Sequence, residues 1–332
     1  MSAVRAGALL GAGAALCAAV LLASCSAPAE TAQSYPSRPI DYVVPFAAGG
    51  STDIAARAAA EALSDELGTP VNVINKPGAD QIIGVSSVRS AEADGYTLLA
   101  DGAGSSSIQG SLPYVPYDWD DREFVARFAE GPHVYVVGGD APYRDFAGVV
   151  AAAKADPENF TVGWIGGSST SDYATLQFLA ANGIDAARVQ RVPFRSSGEV
   201  MRAVASGDIA FGVGGASSAF SLSESGELRP IALTGDQPVG ALAGVPTTAE
   251  LGHPELDMQY WVGVSAPPGL PAGLSTRLAD AVTAIAEDRA VADRLDAVGL
   301  SPAVLTGEDL RAEIHSEKDR FASLSEQIGV AG

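Results

Sequence analysis

Two kinds of hydrophobic pattern alternate along the chain after residue 35. Short runs rich in Val, Ile, Leu and aromatic residues predict β-strands, and longer segments with apolar residues three or four positions apart predict helices. Strands are predicted at residues 40–46, 71–75, 96–100, 124–129, 133–138, 160–165, 189–194, 209–213, 229–234 and 260–266. Helices are predicted at residues 52–67, 82–91, 146–155, 172–182, 198–206, 217–225, 272–287, 289–298 and 308–328.

The order of these elements predicts an α/β fold. Strands that alternate with helices favour mostly parallel sheets with helices on both faces. The alternation occurs in two sets, which indicates two lobes. In both sets, strands end in clusters of Gly and Ser or Thr just before a helix. Ligands of open α/β sheets bind beyond the carboxyl ends of the strands, so two such rims predict a cleft that closes by a hinge.

The first strand leads through a Gly-Gly turn into a helix. The candidate binding residues of this turn are Phe46, Ala47, Ala48, Gly49, Gly50, Ser51 and Asp53. The first N–H groups of a helix have no partner within the helix and carry partial positive charge, which predicts a site for a small carboxylate. Asp53 is expected either to orient the loop or to contact a distal amine or hydroxyl of the ligand. A nucleotide is not expected, because the turn has neither a Walker lysine nor a G-x-G-x-x-G pattern.

Small or polar residues at other strand ends are further candidates. They are Gly78, Ala79, Ser105, Ser168, Ser169, Thr170, Ser171 and Arg195. The serine-rich turn offers hydroxyls at a helix N-terminus, although such turns are often simply solvated. Arg195 has the chemistry to pair with a ligand carboxylate through two hydrogen bonds, although exposed arginines are common.

Composition narrows the functional classes. The 332 residues include 40 Asp and Glu against 20 Lys and Arg, for a net charge of -20. Such a surface repels nucleic acid and anionic lipid headgroups, so neither is an expected partner. The three histidines have no metal-ligand spacing, and no G-x-S-x-G elbow occurs, so we predict no catalytic residue, metal or cofactor. The many acidic residues leave a hydrolase with a carboxylate pair as an alternative.

The N-terminus predicts export. Arg5 is the only charged residue before Glu30, an apolar run spans residues 6–23, and Leu-Ala-Ser-Cys ends at Cys25. This resembles a bacterial lipobox, so we expect a signal peptide at residues 1–24, lipidation of Cys25 and a tether at residues 25–34. A transmembrane anchor is the alternative. Cys17 lies in the removed segment, so the mature protein would contain no disulfide.

Short motifs in a fixed order carry a resemblance that covers nearly all of the chain from Tyr35. They are YPSRPI at residues 35–40, VVPFAAGGSTD at 43–53, NKPGA at 75–79, DGYTLL at 94–99, VPF at 192–194, VPTTAELG at 245–252 and WVG at 261–263. With them, the chain resembles the Bug-type (TctC-like) extracytoplasmic solute receptors of tripartite tricarboxylate transporters. Two departures stand out. Asp80 and Gln81 occupy positions where the family usually has glycines, which would narrow the pocket or add a contact, and Phe194 replaces the usual tyrosine.

The resemblance implies a two-lobed type II periplasmic-binding-protein fold, with lobe 1 at residues 35–137 and 260–332 and lobe 2 at residues 138–259. It implies a non-enzymatic receptor that binds a small organic carboxylate through backbone amides and ordered waters. The ligand class is a di- or tricarboxylate, an acidic amino acid or an aromatic acid. The expected partners are the large and small subunits of a membrane permease. We expect a monomer, lipid-anchored outside the cytoplasmic membrane. A ligand-sensing subunit for a histidine kinase is a further alternative.

Overall fold

The structure is a computed structural model that describes residues 34–327. The predicted signal peptide, Cys25 and residues 25–33 of the tether lie outside the described residues. The chain divides into a unit of residues 1–35 and a compact unit of residues 36–332. The description that follows concerns the second unit.

Strands and helices alternate along this unit as the sequence predicts. The strands are β1 Ile40–Val44, β2 Val71–Asn75, β3 Thr97–Asp101, β4 Glu123–Gly138, β5 Thr161–Trp164, β6 Gln190–Pro193, β7 Gly212–Gly215, β8 Leu228–Leu233, β9 Gln259–Ala266 and β10 Ser301–Thr306. The helices are α1 Ser51–Leu67, α2 Ile82–Arg89, α3 Phe146–Ala155, α4 Thr170–Ala181, α5 Ser197–Ala205, α6 Ala216–Glu224, α7 Ala272–Glu287, α8 Arg289–Asp296 and α9 Gly307–Gln327. Short helical turns cover Gly104–Ile108, Gln109–Ser111 and Gly240–Leu242.

The large sheet has mixed strand directions. Its order is β10-β4-β9-β3-β1-β2, and β7 and β8 also pair with β4. β1 is parallel to both β2 and β3, whereas β9 is antiparallel to β3 and β4, and β10 is antiparallel to β4. A separate parallel pair joins β5 to β6. The expectation of mostly parallel sheets therefore holds for β1–β3 and for β5–β6, but not for the strands around β4.

Strand β4 belongs to both parts of the sheet. Its residues 123–132 pair with β9, and its residues 133–138 pair with β7 and β8. The sequence predicts two strands here, separated by residues 130–132, which include Gly131 and Pro132, but the structure has one. These two residues fall where β4 changes partners, so the sequence signal marks that change and not the end of the strand.

We define two lobes by these pairings. The first lobe is built on β1, β2, β3, β9, β10 and residues 123–132 of β4, and the second on β5–β8 and residues 133–138. The predicted lobe limits at 137/138 and 259/260 stay a prediction. Strand β10 was not predicted. It pairs with β4 at the edge of the sheet and is only partly buried, and it contains Pro302, which an edge strand accommodates.

Packed aromatic side chains form part of the core of the second lobe. Tyr135, Phe178 and Phe211 are fully buried, and their ring centroids lie 4.8 to 5.8 Å apart. Burying each such side chain contributes about 1.5–3 kcal/mol. In the first lobe, the buried Tyr42 hydroxyl donates to the Gly263 carbonyl oxygen at 2.7 Å and links β1 to β9.

Within residues 34–327, no helix combines the length and apolar character that crossing a membrane requires.

Candidate functional site

A small cavity lies where strand ends of both lobes meet. It offers about 50 Å³ to the centres of water-sized molecules, room for roughly three to five waters. Its lining consists of Phe46, Gly50, Ser51, Thr52, Gln81, Ala100, Gly102, Ala103, Gly104, Ser105, His133, Ile165, Ser169, Thr170, Ser171, Ser196, Ser197, Tyr260 and Trp261. Among these described residues, none carries a formal charge at neutral pH.

The N-termini of α1, α4 and α5 supply the positive potential of the cavity. Each presents its cap residue and first helical residue to the lining. Ser169 and Ser196 cap α4 and α5 by accepting backbone N–H groups, whereas Gly50 caps α1 without a side chain. A helix N-terminus is equivalent to roughly half a positive charge. The three together suit one bound anion.

The Asp53 side chain fixes the shape of the β1–α1 loop from a position outside the cavity lining. Its carboxylate accepts the Gly49 N–H at 2.9 Å and the Asn75 side-chain amide at 2.8 Å. Arg57 donates to both of its oxygens, at 3.0 and 2.9 Å. Burial alone would raise the pKa of Asp53, but the hydrogen bonds from Arg57, Gly49 and Asn75 hold that pKa below its usual range. Asp53 does not line the cavity, so its position suits the loop-orienting role.

The same loop contacts the second lobe directly. The Ala47 N–H donates to the Arg195 carbonyl oxygen at 3.2 Å, and the Ser51 N–H donates to the Ser197 hydroxyl at 3.1 Å. A Cβ on Gly198 would overlap the Gly49 carbonyl oxygen, so this approach requires glycine at position 198. The two lobes are therefore in contact at this edge of the cavity.

The loop between β5 and α4 is organised by a buried carboxyl. Asp172 accepts the N–H groups of Ile165 and Gly167, each at 2.8 Å. Burial raises the pKa of Asp172 to about 7; the two N–H groups oppose this rise, and the charge of Asp80 adds to it. The loop so shaped presents Ser169, Thr170 and Ser171 to the cavity.

Asp80 and Gln81 bridge the lobes. Ala79, Asp80 and Gln81 all adopt positive φ angles, of 47°, 52° and 70°, a conformation that is costly for residues other than glycine. The Ser168 hydroxyl donates to Asp80 Oδ1 at 2.6 Å, and Gln81 Nε2 donates to that hydroxyl at 2.6 Å. Tyr114 also donates to Asp80, at 2.7 Å. The Ser168 contacts across the lobes and the Tyr114 contact within the first lobe help to offset the backbone strain.

The structure brings some of the predicted site residues together at the cavity. Those that line it are Phe46, Gly50, Ser51, Ser105, Ser169, Thr170 and Ser171. Those placed outside the lining are Ala47, Ala48, Gly49, Asp53, Gly78, Ala79, Ser168 and Arg195. The guanidinium of Arg195 is exposed and pairs with Glu199 at 2.6 Å. The Ser105 hydroxyl donates to Asp101 at 2.6 Å.

Several lining residues were missed in the sequence. Ser196 and Ser197 are the cap and first residue of α5, and this serine pair is a helix-start signal of the kind used for α1 and α4. His133, Tyr260 and Trp261 lie within strands β4 and β9, where sequence offers nothing to separate them from core residues. Among the described residues, no group of three or more His, Cys, Asp or Glu side chains is arranged to hold a metal ion.

A two-lobed α/β fold with a hydroxyl-lined cavity between strand ends is typical of periplasmic binding proteins, and the structural neighbours include a periplasmic transporter and a periplasmic binding protein. Residues 55–330 match the family described as the tripartite tricarboxylate transporter family receptor, TctC. The chain therefore belongs to this family, which confirms the resemblance seen in its motifs.

Relatives of known sequence or structure agree with this assignment. BugT of Bordetella pertussis is 30% identical over 313 residues, which cover 93% of this chain and 95% of BugT. The solved structure of the periplasmic binding protein BugD is 26% identical with a TM-score of 0.83, and the match covers 90% of this chain and 99% of BugD. R. palustris Rpa4515, solved with adipate, is 27% identical with a TM-score of 0.83, over 89% of this chain and 98% of that protein.

Proposed function

We propose that the chain is an extracytoplasmic receptor that captures a small organic carboxylate in this cavity and delivers it to a tripartite membrane permease. The observation that carries the proposal is the convergence of three helix N-termini on a cavity whose lining has hydroxyls but no charged side chain. A relative with the same fold was solved with a carboxylate, adipate, which supports the ligand class.

Binding would rely on local dipoles. The net charge of -20 repels an anion at long range, so the ligand must gain its binding energy from N–H and O–H groups inside the cavity. Since the lining draws on both lobes, a bound carboxylate would stabilise the closed arrangement over an open one. Contacts from one lobe alone would not favour closure.

Anchoring at Cys25 would keep the receptor beside its permease, whose large and small subunits we propose as partners. A single acyl chain binds a membrane only marginally, so the several chains of a bacterial lipoprotein would be needed. Cys25→Ala should abolish the incorporation of labelled fatty acid into the protein, while Cys17→Ala, in the segment to be removed, should leave it unchanged. Labelling of the Cys25 variant would contradict the anchor.

A thermal-shift screen tests the ligand class. The full chain is expressed in a bacterial host, purified in its processed form and screened against mono-, di- and tricarboxylates and acidic amino acids. A ligand at a hundredfold excess over its Kd should raise the free energy of unfolding by about 2.7 kcal/mol. A response to a neutral sugar or a metal, with none to any carboxylate, would reject the proposal.

Binding without turnover fits the lining better than hydrolysis does. A hydrolase with a carboxylate pair needs both carboxyl groups to face the substrate, and the described residues of the lining include neither Asp nor Glu. An ester and glycoside panel should therefore show no turnover. Uptake of labelled ligand by cells with and without the gene separates transport from sensing, because loss of a sensor subunit leaves the permease itself intact.

A further inference from the structure

Two side chains in the cavity lining bury polar atoms that have no hydrogen-bond partner. Gln81 is 3% exposed and His133 is 1% exposed. Among the described residues, no group makes a well-formed hydrogen bond to Gln81 Oε1 or to either ring nitrogen of His133. Leaving such a group unpaired costs about 1–3 kcal/mol. Groups of this kind inside a binding cavity are placed to meet a ligand.

The orientation of the Gln81 amide is fixed by its neighbour. Gln81 Nε2 lies 3.0 Å from the Ser168 carbonyl oxygen and 2.6 Å from the Ser168 hydroxyl. The carbonyl oxygen can only accept, so the atom facing it must be the NH₂ group and not the amide oxygen. Oε1 is therefore the free end of the amide, and it is an acceptor. It requires an O–H or N–H donor from the ligand.

His133 adds a second site for such a donor. Burial lowers the pKa of His133 to about 4, an effect that the nearby Gly214 backbone only partly offsets, so the ring is neutral at pH 7. A neutral imidazole always has one acceptor nitrogen. Its ring packs against Tyr260, with centroids 5.4 Å apart, which holds it in place at the cavity wall.

The helix N-termini fix where the carboxylate of the ligand binds. Each is equivalent to roughly half a positive charge, so the three together balance roughly one and a half negative charges. No Lys or Arg is among the described lining residues. Outside the lining, charges of both signs lie close by, since Asp80 accepts from the Ser168 hydroxyl and Arg122 donates to the Ser105 carbonyl oxygen.

We propose that the ligand is a small carboxylate that also carries a hydroxyl or carboxamide donor, and that Gln81 selects for this donor. The inference rests on the carboxylate-receptor function proposed above and narrows its substrate class. The carboxylate lies at the helix N-termini, and the donor meets Gln81 Oε1 and the acceptor nitrogen of His133.

Calorimetric titration of matched acids tests the inference. The pairs are lactate with propionate, 3-hydroxybutyrate with butyrate, and succinamate with succinate, each titrated into the processed full-chain protein. For at least one pair, the acid with the donor should bind tenfold or more tightly than its partner. In Gln81→Met, which keeps the chain length but removes the acceptor, that ratio should fall to about two or less.

Ser168→Ala is the matched control. It removes the hydroxyl that Gln81 and Asp80 share but leaves Gln81 Oε1 in place, so affinity should fall for both acids of a pair while their ratio is kept. Selectivity retained by Gln81→Met, or equal binding of both acids by the unaltered protein, would overturn the inference and leave the carboxylate function standing. Tighter binding of succinate than of succinamate would also overturn it. If no carboxylate binds in this titration or in the thermal-shift screen, both proposals are rejected.

Discussion

Asp53→Ala is the sharpest test of how the β1–α1 loop is held. The carboxylate is 3% exposed and accepts hydrogen bonds from Gly49, Asn75 and Arg57. Its removal leaves the Gly49 N–H and the Asn75 amide without their acceptor. The loop that carries Gly50 and Ser51 to the cavity would then lose its fixed shape.

The expected loss follows from these contacts. A hydrogen bond to a charged group contributes about 1.5–3 kcal/mol. The side chain of Arg57 is half exposed, so water replaces its bonds at little cost. The loss of stability is therefore set by the hydrogen bonds from Gly49 and Asn75, and the lower limits of their two contributions sum to about 3 kcal/mol. Asp53→Ala should therefore lower the free energy of unfolding by about 3 kcal/mol and weaken carboxylate binding at least tenfold.

Urea unfolding and calorimetric titration measure the two effects. Asp65→Ala is the matched control, because Asp65 lies on the same helix but is exposed; it should change either quantity by less than about 0.5 kcal/mol. An Asp53→Ala variant with unchanged stability and affinity would refute the assignment of this loop to the binding site.

Further predictions concern the lobe contacts and the buried histidine. Ser168→Ala removes the hydroxyl that links the second lobe to Asp80 and Gln81 and leaves only the bonds of the Ser168 backbone. The ligand-free protein should therefore populate a more open form, and electron–electron resonance between one spin label per lobe should show a longer distance. An unchanged distance would contradict a role of the hydroxyl in holding the lobes together. Gly198→Ala should block the approach of Gly49 and weaken ligand binding at least tenfold, and equal affinity would show that this contact is dispensable. Between pH 6.5 and about 4 the unfolded chain binds a proton at His133 that the native state excludes, so this group destabilises the fold as pH falls. From pH 7 to pH 5, the free energy of unfolding measured with urea should fall by about 2 kcal/mol more in the unaltered protein than in His133→Gln. Equal losses in the two proteins would refute the lowered pKa of His133.

The sequence predicts the elements that depend on local pattern. The β1–α1 turn can be recognised in the sequence because an apolar strand leads into Gly-Gly and Asp53 lies in the first turn of the helix that comes next. The α/β class follows from the alternation of strands and helices.

Features that depend on distant contacts were not predictable. The left-handed backbone at Asp80 and Gln81 breaks the rule that such turns use glycine, and it is offset only by partners far away in the sequence, such as Ser168. His133 lies in a strand and looks like any core residue until β4 is seen to cross between the lobes. The antiparallel direction of β9 was not predictable either, because the hydrophobic pattern identifies a strand but not the strands with which it pairs.

A crystal structure with a bound acid tests the central claim most directly. The acid is the one that gives the largest thermal shift in the carboxylate screen. We predict its carboxylate oxygens within about 3.2 Å of backbone N–H or hydroxyl groups at the N-termini of α1, α4 or α5. A carboxylate held instead by arginine or lysine side chains, or bound outside the cavity lined by Ser51, Thr170 and Ser197, would contradict the account.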